Sequence, residues 1–228
     1  MKQRLTVLLT ALVLVASMIA PAWGAGPGGA ASAAEHSTSP VLTLPVPDAE
    51  LPPFTVVGSS QLVRTDRGVS ATLETSGLEP GHVVTLWWIV ANAPERCQAG
   101  LGELTQCGPG DHLAGRGEMS VHYGAGRIVT TAGSARYGAN LRVGDTSRVL
   151  FEGEPGLTDA RGAEVILLLK THGPKTPGTV SDQLRTFAGG CDEAPEDFLP
   201  LIVRPEVFGT PGDFENCAET QISVHSPK

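Results

Sequence analysis

The chain has 228 residues, 28 of them Gly and 18 Pro, so about a fifth of its positions are chain-breakers against a usual share of roughly 12%. That density excludes helical bundles and coiled coils, which need long uninterrupted 3.6-residue periodicity. With 41% apolar residues, 18% charged residues and a net charge of −8, the composition also excludes a wholly disordered chain and disfavours nucleic acid or anionic lipid as partner.

Residues 1–24 read as a secretory signal peptide. Lys2 and Arg4 precede sixteen uncharged residues, Leu5 to Ala20, and then Pro21 and the small residues of Ala22-Trp23-Gly24. Sixteen helical residues span about 24 Å, short of a ~30 Å hydrocarbon core, so cleavage rather than anchoring is expected. Cleavage removes two basic charges, leaving 14 Lys+Arg against 24 Asp+Glu, a net of −10. No later stretch is long and apolar enough to span a membrane in the mature form. The expected location is secreted, periplasmic or cell-envelope.

Residues 25–53, rich in Ala, Gly, Ser and Pro, read as a flexible linker. From residue 54 to 228 the pattern becomes that of one β-domain. Candidate strands are Phe54–Val63, Val69–Thr75, His82–Val90, Met119–Tyr123, Gly126–Thr131, Ser134–Leu141, Arg148–Phe151, Ala163–Thr171 and Glu219–His225. Period-two alternation in Val69–Thr75 marks a half-buried strand, and Gly77-Leu78-Glu79-Pro80-Gly81 supplies turn chemistry. Ser181–Phe187 reads as a short helix with Ser181 as N-cap. The pattern predicts an all-β fold: an antiparallel Greek-key-like β-sandwich with two disulfide-tied irregular loop segments.

Two strands stand apart. His82–Val90 and Ala163–Thr171 are apolar on both faces, so each must be covered on both. The long Cys-containing segments 91–118 and 174–217 are the available covers. Four Cys allow three pairings. Cys97–Cys107 and Cys191–Cys217 are preferred, because each pair staples one irregular segment. The metal-site alternative wants CxxC-type spacing, which is absent.

No HExxH, P-loop, GxSxG or EF-hand motif is present. His122 and His225 are expected to point outward. His172, at a strand end before Gly173-Pro174, with His225 and His82, forms a candidate copper or zinc trio, with a structural or solvated role as the plainer reading. Trp87 and Trp88 are possible ligand contacts. Being adjacent on a strand they face opposite sides, and covered core is preferred for both because Val83 and Ile89 flank them. The acidic run 192–197 reads as solvated loop rather than a calcium site.

The order Gly77-Leu78-Glu79-Pro80-Gly81-His82, Trp87-Trp88, Asn92 to Cys97, His172-Gly173-Pro174, Gln183, Phe187, Gly189-Gly190-Cys191 and Gln221 to His225 resembles a group of secreted bacterial proteins of unassigned function. The Gly-Leu-x-Pro-Gly turn feeding a long strand also resembles the hairpin of chordin-type domains and copper/zinc superoxide dismutases, which are Greek-key β-sandwiches. In the dismutases a His-x-His pair on that strand ligates copper. Here the strand carries Trp87 and Trp88 instead, so that site is missing.

The expectation is therefore a secreted or envelope-associated, non-catalytic module that binds a protein partner or small ligand and needs no cofactor. A histidine-based copper or zinc protein is the alternative, and a hydrolase without recognisable motif a weaker one.

Overall fold

The computed structural model describes residues 33–44, 54–191 and 217–227. The signal-peptide stretch, the acidic run and most of the expected linker lie outside them. The strands are β1 (Glu35–Thr43), β2 (Val56–Thr65), β3 (Gly68–Thr75), β4 (His82–Ala91), β5 (Met119–Ile128), β6 (Ala135–Arg142), β7 (Glu164–Pro174) and β8 (Ala218–His225). Two short helices, α1 (Pro109–Leu113) and α2 (Val180–Gln183), lie in the irregular segments.

The fold is all-β and antiparallel, as the alternation patterns require. Its two layers belong to one hydrogen-bonded sheet in the order β5-β4-β7-β8-β1-β2-β3-β6, which curls until its edge strands β5 and β6 approach each other. The chain runs β1-β2-β3 as neighbours and crosses to β4, and β6 later returns to pair with β3, a Greek-key order.

Curling creates an inside and an outside. The inner core takes Leu62 of β2, Leu73 of β3, Leu86, Trp88 and Val90 of β4, Tyr137 of β6 and Leu167 of β7. A second core lies outside the sheet, where Trp87, Ile89, Ile166 and Leu168 meet Cys107 from the first irregular segment and Phe187 from the second. The two-sided strands are thus roofed by the disulfide-tied segments, as their sequences demand. Both preferred pairings are formed, Cys97–Cys107 and Cys191–Cys217.

Several details differ from expectation. Residues 35–43, read as tether, form β1, paired along its length with β2 and at its end with β8. The strand has no apolar alternation because its inward neighbours are themselves polar: Ser37 Oγ lies 2.9 Å from His225 Nδ1. Met119–Tyr123 and Gly126–Thr131 merge into the single strand β5, with an irregularity where Leu86 pairs Ala125 but Trp87 pairs Tyr123. Arg148–Phe151 is reduced to a bridge between His122 and Val149, supported by Leu150 N–H to the Val121 carbonyl at 2.7 Å. The helix in the second segment is shorter than expected and starts after Thr179.

Candidate functional site

The three histidines of the metal hypothesis do not converge. His172 follows Leu168 and Lys170 on the outer face of β7 and hydrogen-bonds Thr85, which shares a face with outer-core Trp87. His225 pairs with inner-core Val165 and hydrogen-bonds Ser60, on the inner face of β2 with Leu62. His82, half-buried at the start of β4, has Nδ1 3.4 Å from Thr171 Oγ1. The sheet itself separates His172 from His225.

His172 is the end of a directional hydrogen-bond chain under the second cover. The Trp87 indole N–H, a donor only, donates to Thr85 Oγ1 at 2.7 Å. Thr85 Oγ1 is 2.8 Å from His172 Nε2, and His172 Nδ1 is 2.8 Å from the Gly189 carbonyl. A carbonyl only accepts, so Nδ1 carries the proton and Nε2 accepts from the Thr85 hydroxyl. Burial, only partly offset by the Gly189 carbonyl, pushes the imidazole pKa down to about 4, which keeps the ring neutral.

The rest of this cover closes over a buried ion pair. Lys170 Nζ lies 3.5 Å from Glu219 Oε1 and 4.2 Å from the centre of the Phe187 ring. Burial lowers the Lys170 pKa, and Glu219 opposes that shift. Lys170 was not singled out from the sequence, although a lysine inside the apolar run Ala163–Thr171 signals a buried partner. Gln183, fully buried, donates to the carbonyls of His172 and Pro174, both at 3.0 Å. Gly189 and Gly190 permit this packing, since a Cβ would lie 2.3 Å from Asp182 and 2.5 Å from Gln183 respectively.

Inside the barrel, His225 sits between Ser37 and Ser60, with Ser60 Oγ 2.8 Å from Nε2 and 2.7 Å from Ser223 Oγ. His225 was expected to face outward. Its row, Gln221, Ser223 and His225, turns inward because these residues pair with Leu169, Leu167 and Val165. The Ser60–His225 distance suits a nucleophile and its base. The arrangement is nevertheless a buried strut: Ser60 and His225 are 1% and 2% exposed, and Nδ1 meets Ser37 rather than a carboxylate. Burial, with Arg64 adding to it, lowers the His225 pKa to about 4. Arg64, also 1% exposed, binds the carbonyls of Ala160, Ala163, His225 and Ser226 and ties β8 to the barrel end.

His122, likewise expected outside, pairs with Trp88 and is buried on the inner face, where desolvation lowers its pKa despite Glu154 and Asp145. Trp88 lies in the inner core. Trp87, in the outer core, packs edge-on against Tyr123 and Phe187. Both tryptophans are covered, so neither offers a ligand platform.

The first cover is organised by carboxylates. Asp111, fully buried, accepts the N–H groups of Gln98, Ala99 and Gly108 and the Arg116 guanidinium. Burial opposes its ionisation, and these donors outweigh burial, so its carboxyl lies below its ordinary value. Glu164 of β7 accepts the N–H groups of Gln106 and Cys107 at 2.8 and 3.1 Å, while burial raises its pKa. Beside this scaffold opens a cleft of about 540 Å³, with Glu95, Glu103, Glu164, Gly100 and Thr105 in its lining. Neither carboxylate hub was read from the sequence, because each binds backbone groups far along the chain and leaves no short motif. The chain matches no protein-family model, no curated protein and no solved structure.

Proposed function

We propose that the protein works outside the cytoplasm, in an oxidising compartment, as a non-catalytic module that binds a partner or small ligand in the cleft beside Cys97–Cys107. The observation that carries this reading is the contrast in access. The imidazoles of His122, His172 and His225 and the Ser60 hydroxyl are buried, whereas the cleft is open, braced by a disulfide and edged with carboxylates. Such a concavity suits a ligand that carries amines or several hydrogen-bond donors. Both disulfides fit an exported protein, and no helix of the described residues is long and apolar enough to cross a membrane.

The test is a binding screen of the full-length gene product, recovered from its host, against cationic peptides and amino-sugar glycans. Ligands are expected whose binding weakens with salt and is lost in Glu103→Lys. Hydrolysis of ester, peptide or glycoside substrates that disappears in Ser60→Ala would overturn the reading, as would ligand binding indifferent to Glu103→Lys. N-terminal sequencing of the recovered protein checks for processing near residue 24.

A further inference from the structure

His172 stands against a disulfide. Its Nδ1 is 3.9 Å from Cys191 Sγ, and a ring nitrogen of His172 and the sulfurs of Cys191 and Cys217 all lie within 4.8 Å of one another. We propose that reduction of Cys191–Cys217 converts these three groups into a site for monovalent copper, which the disulfide form keeps shut.

The distances suit a small ion. With metal–sulfur bonds of ~2.3 Å and a metal–nitrogen bond of ~2.1 Å, a trigonal centre holds nitrogen and sulfur ~3.8 Å apart and the two sulfurs ~4.0 Å apart. The spacing from Nδ1 to Cys191 Sγ is close to that value, and Cys217 Sγ lies within 4.8 Å of the group. The two sulfurs must separate, by about 2 Å from a bonded distance of ~2.05 Å. Cys191 is half-buried at the margin of the cover, while His172 lies on β7.

The hydrogen-bond chain supports the ligand nitrogen. For Nδ1 to bind a metal, its proton must leave and Nε2 must carry one. Nε2–H then donates to Thr85 Oγ1, whose own hydroxyl has the Lys170 carbonyl at 3.5 Å as an alternative acceptor. A metal-bound imidazole held through its other nitrogen is the usual outer arrangement of such sites. Two thiolates select soft ions. Among the described residues no fourth His, Cys or carboxylate joins the group, which suits three-coordinate copper better than four-coordinate zinc. The Lys170 ammonium, which acts electrostatically on the His172 ring, opposes the negative charge of two thiolates. The other cluster of this kind, Cys97, Cys107 and Asp111, differs: its carboxylate is already occupied by three N–H groups and Arg116.

The step balances with a dithiol protein as reductant. Its two thiols supply two electrons and two protons and become its own disulfide, while Cys191 and Cys217 become thiols. Copper binding then releases those two protons, and the Nδ1 proton is exchanged for one on Nε2. Exchange with a protein disulfide, which takes up the two electrons and two protons to become a dithiol, re-forms Cys191–Cys217 and releases the ion.

The test uses the full chain carrying Cys97→Ser and Cys107→Ser, reduced anaerobically with a phosphine. Monovalent copper is supplied as its acetonitrile complex in competition with bicinchoninate. The expected result is one copper per reduced chain, none per oxidised chain, and binding about tenfold or more weaker after His172→Gln. If the double variant loses its β-sheet circular dichroism, the titration is made on the unmutated reduced chain with and without Cys191→Ser, where the stoichiometry is expected to drop by one. No uptake against the chelator, affinity indifferent to His172→Gln, zinc taken up in place of copper, or unfolding on reduction of Cys191–Cys217 would each overturn the proposal.

Discussion

The two covers solve the same problem with different chemistry. Each buries the outer face of β4 and β7 and each is closed by a disulfide. The first is knitted by carboxyl groups: Asp111 and Glu164 collect backbone N–H groups that an irregular loop cannot pair for itself. In the second, Gln183 and the neutral His172 serve backbone carbonyls beside the buried Lys170–Glu219 pair. Loops present both kinds of orphan, and the side chain chosen matches which kind the local backbone leaves over. The consequence is that acid weakens the two covers in different pH windows.

The largest expected effect is on the first cover. Asp111→Ala strips acceptors from three N–H groups and strands Arg116, and should destabilise the protein by about 3–5 kcal/mol in chemical denaturation. An effect within ~0.5 kcal/mol, typical of an exposed surface site, would mean that Asp111 is not a hub.

Next comes the pH dependence. His172 and His225 have folded-state pKa values of about 4, against 6.5 for the free ring. Between those values the unfolded chain binds protons that the folded chain refuses, so stability falls as pH drops from 6.5 to 4, by roughly 3 kcal/mol per ring. Asp111 has the same sign in a lower window: its contribution is present above the ordinary carboxyl value of 3.8 and is lost only below it. Hydrogen exchange at pH 4.5, normalised to intrinsic rates, should therefore show residues 180–190 losing protection before residues 97–111. The reverse order would break the comparison.

Smaller effects sharpen the second cover. Gln183→Leu leaves the His172 and Pro174 carbonyls without their donor and is expected to cost about 2 kcal/mol. Thr85→Val interrupts the relay from Trp87 to His172. About 1–2 kcal/mol should be lost, and the Trp87 indole proton resonance should shift, because its acceptor is removed. An unchanged indole resonance would show that the relay is not formed.

Much of this architecture was legible in the chain. Runs such as Val83 to Val90 and Val165 to Leu169 announce strands that must be covered twice, and the cysteine positions name the covering segments. The turn at Gly77 and Gly81 is likewise legible, since both take positive φ, 74° and 81°. The placement of β1 was not, because a strand facing a polar sector shows no apolar period. The candidate sites were less legible still. Alternation assigns Gln221, Ser223 and His225 to a common face, yet whether that face is inside depends on the register with β7.

The amino-acid order by itself therefore determined the strand-forming periods, the need for an outer cover and which cysteines could staple it, because these follow from local spacing and from the cost of exposing apolar surface. Only the tertiary structure decided that His172 and His225 lie on opposite sides of one sheet, that polar residues line part of the barrel, and that His172 meets Cys191. Those facts depend on register and closure, which arise from pairings more than a hundred residues apart such as Ser37 with His225, and no local pattern encodes them.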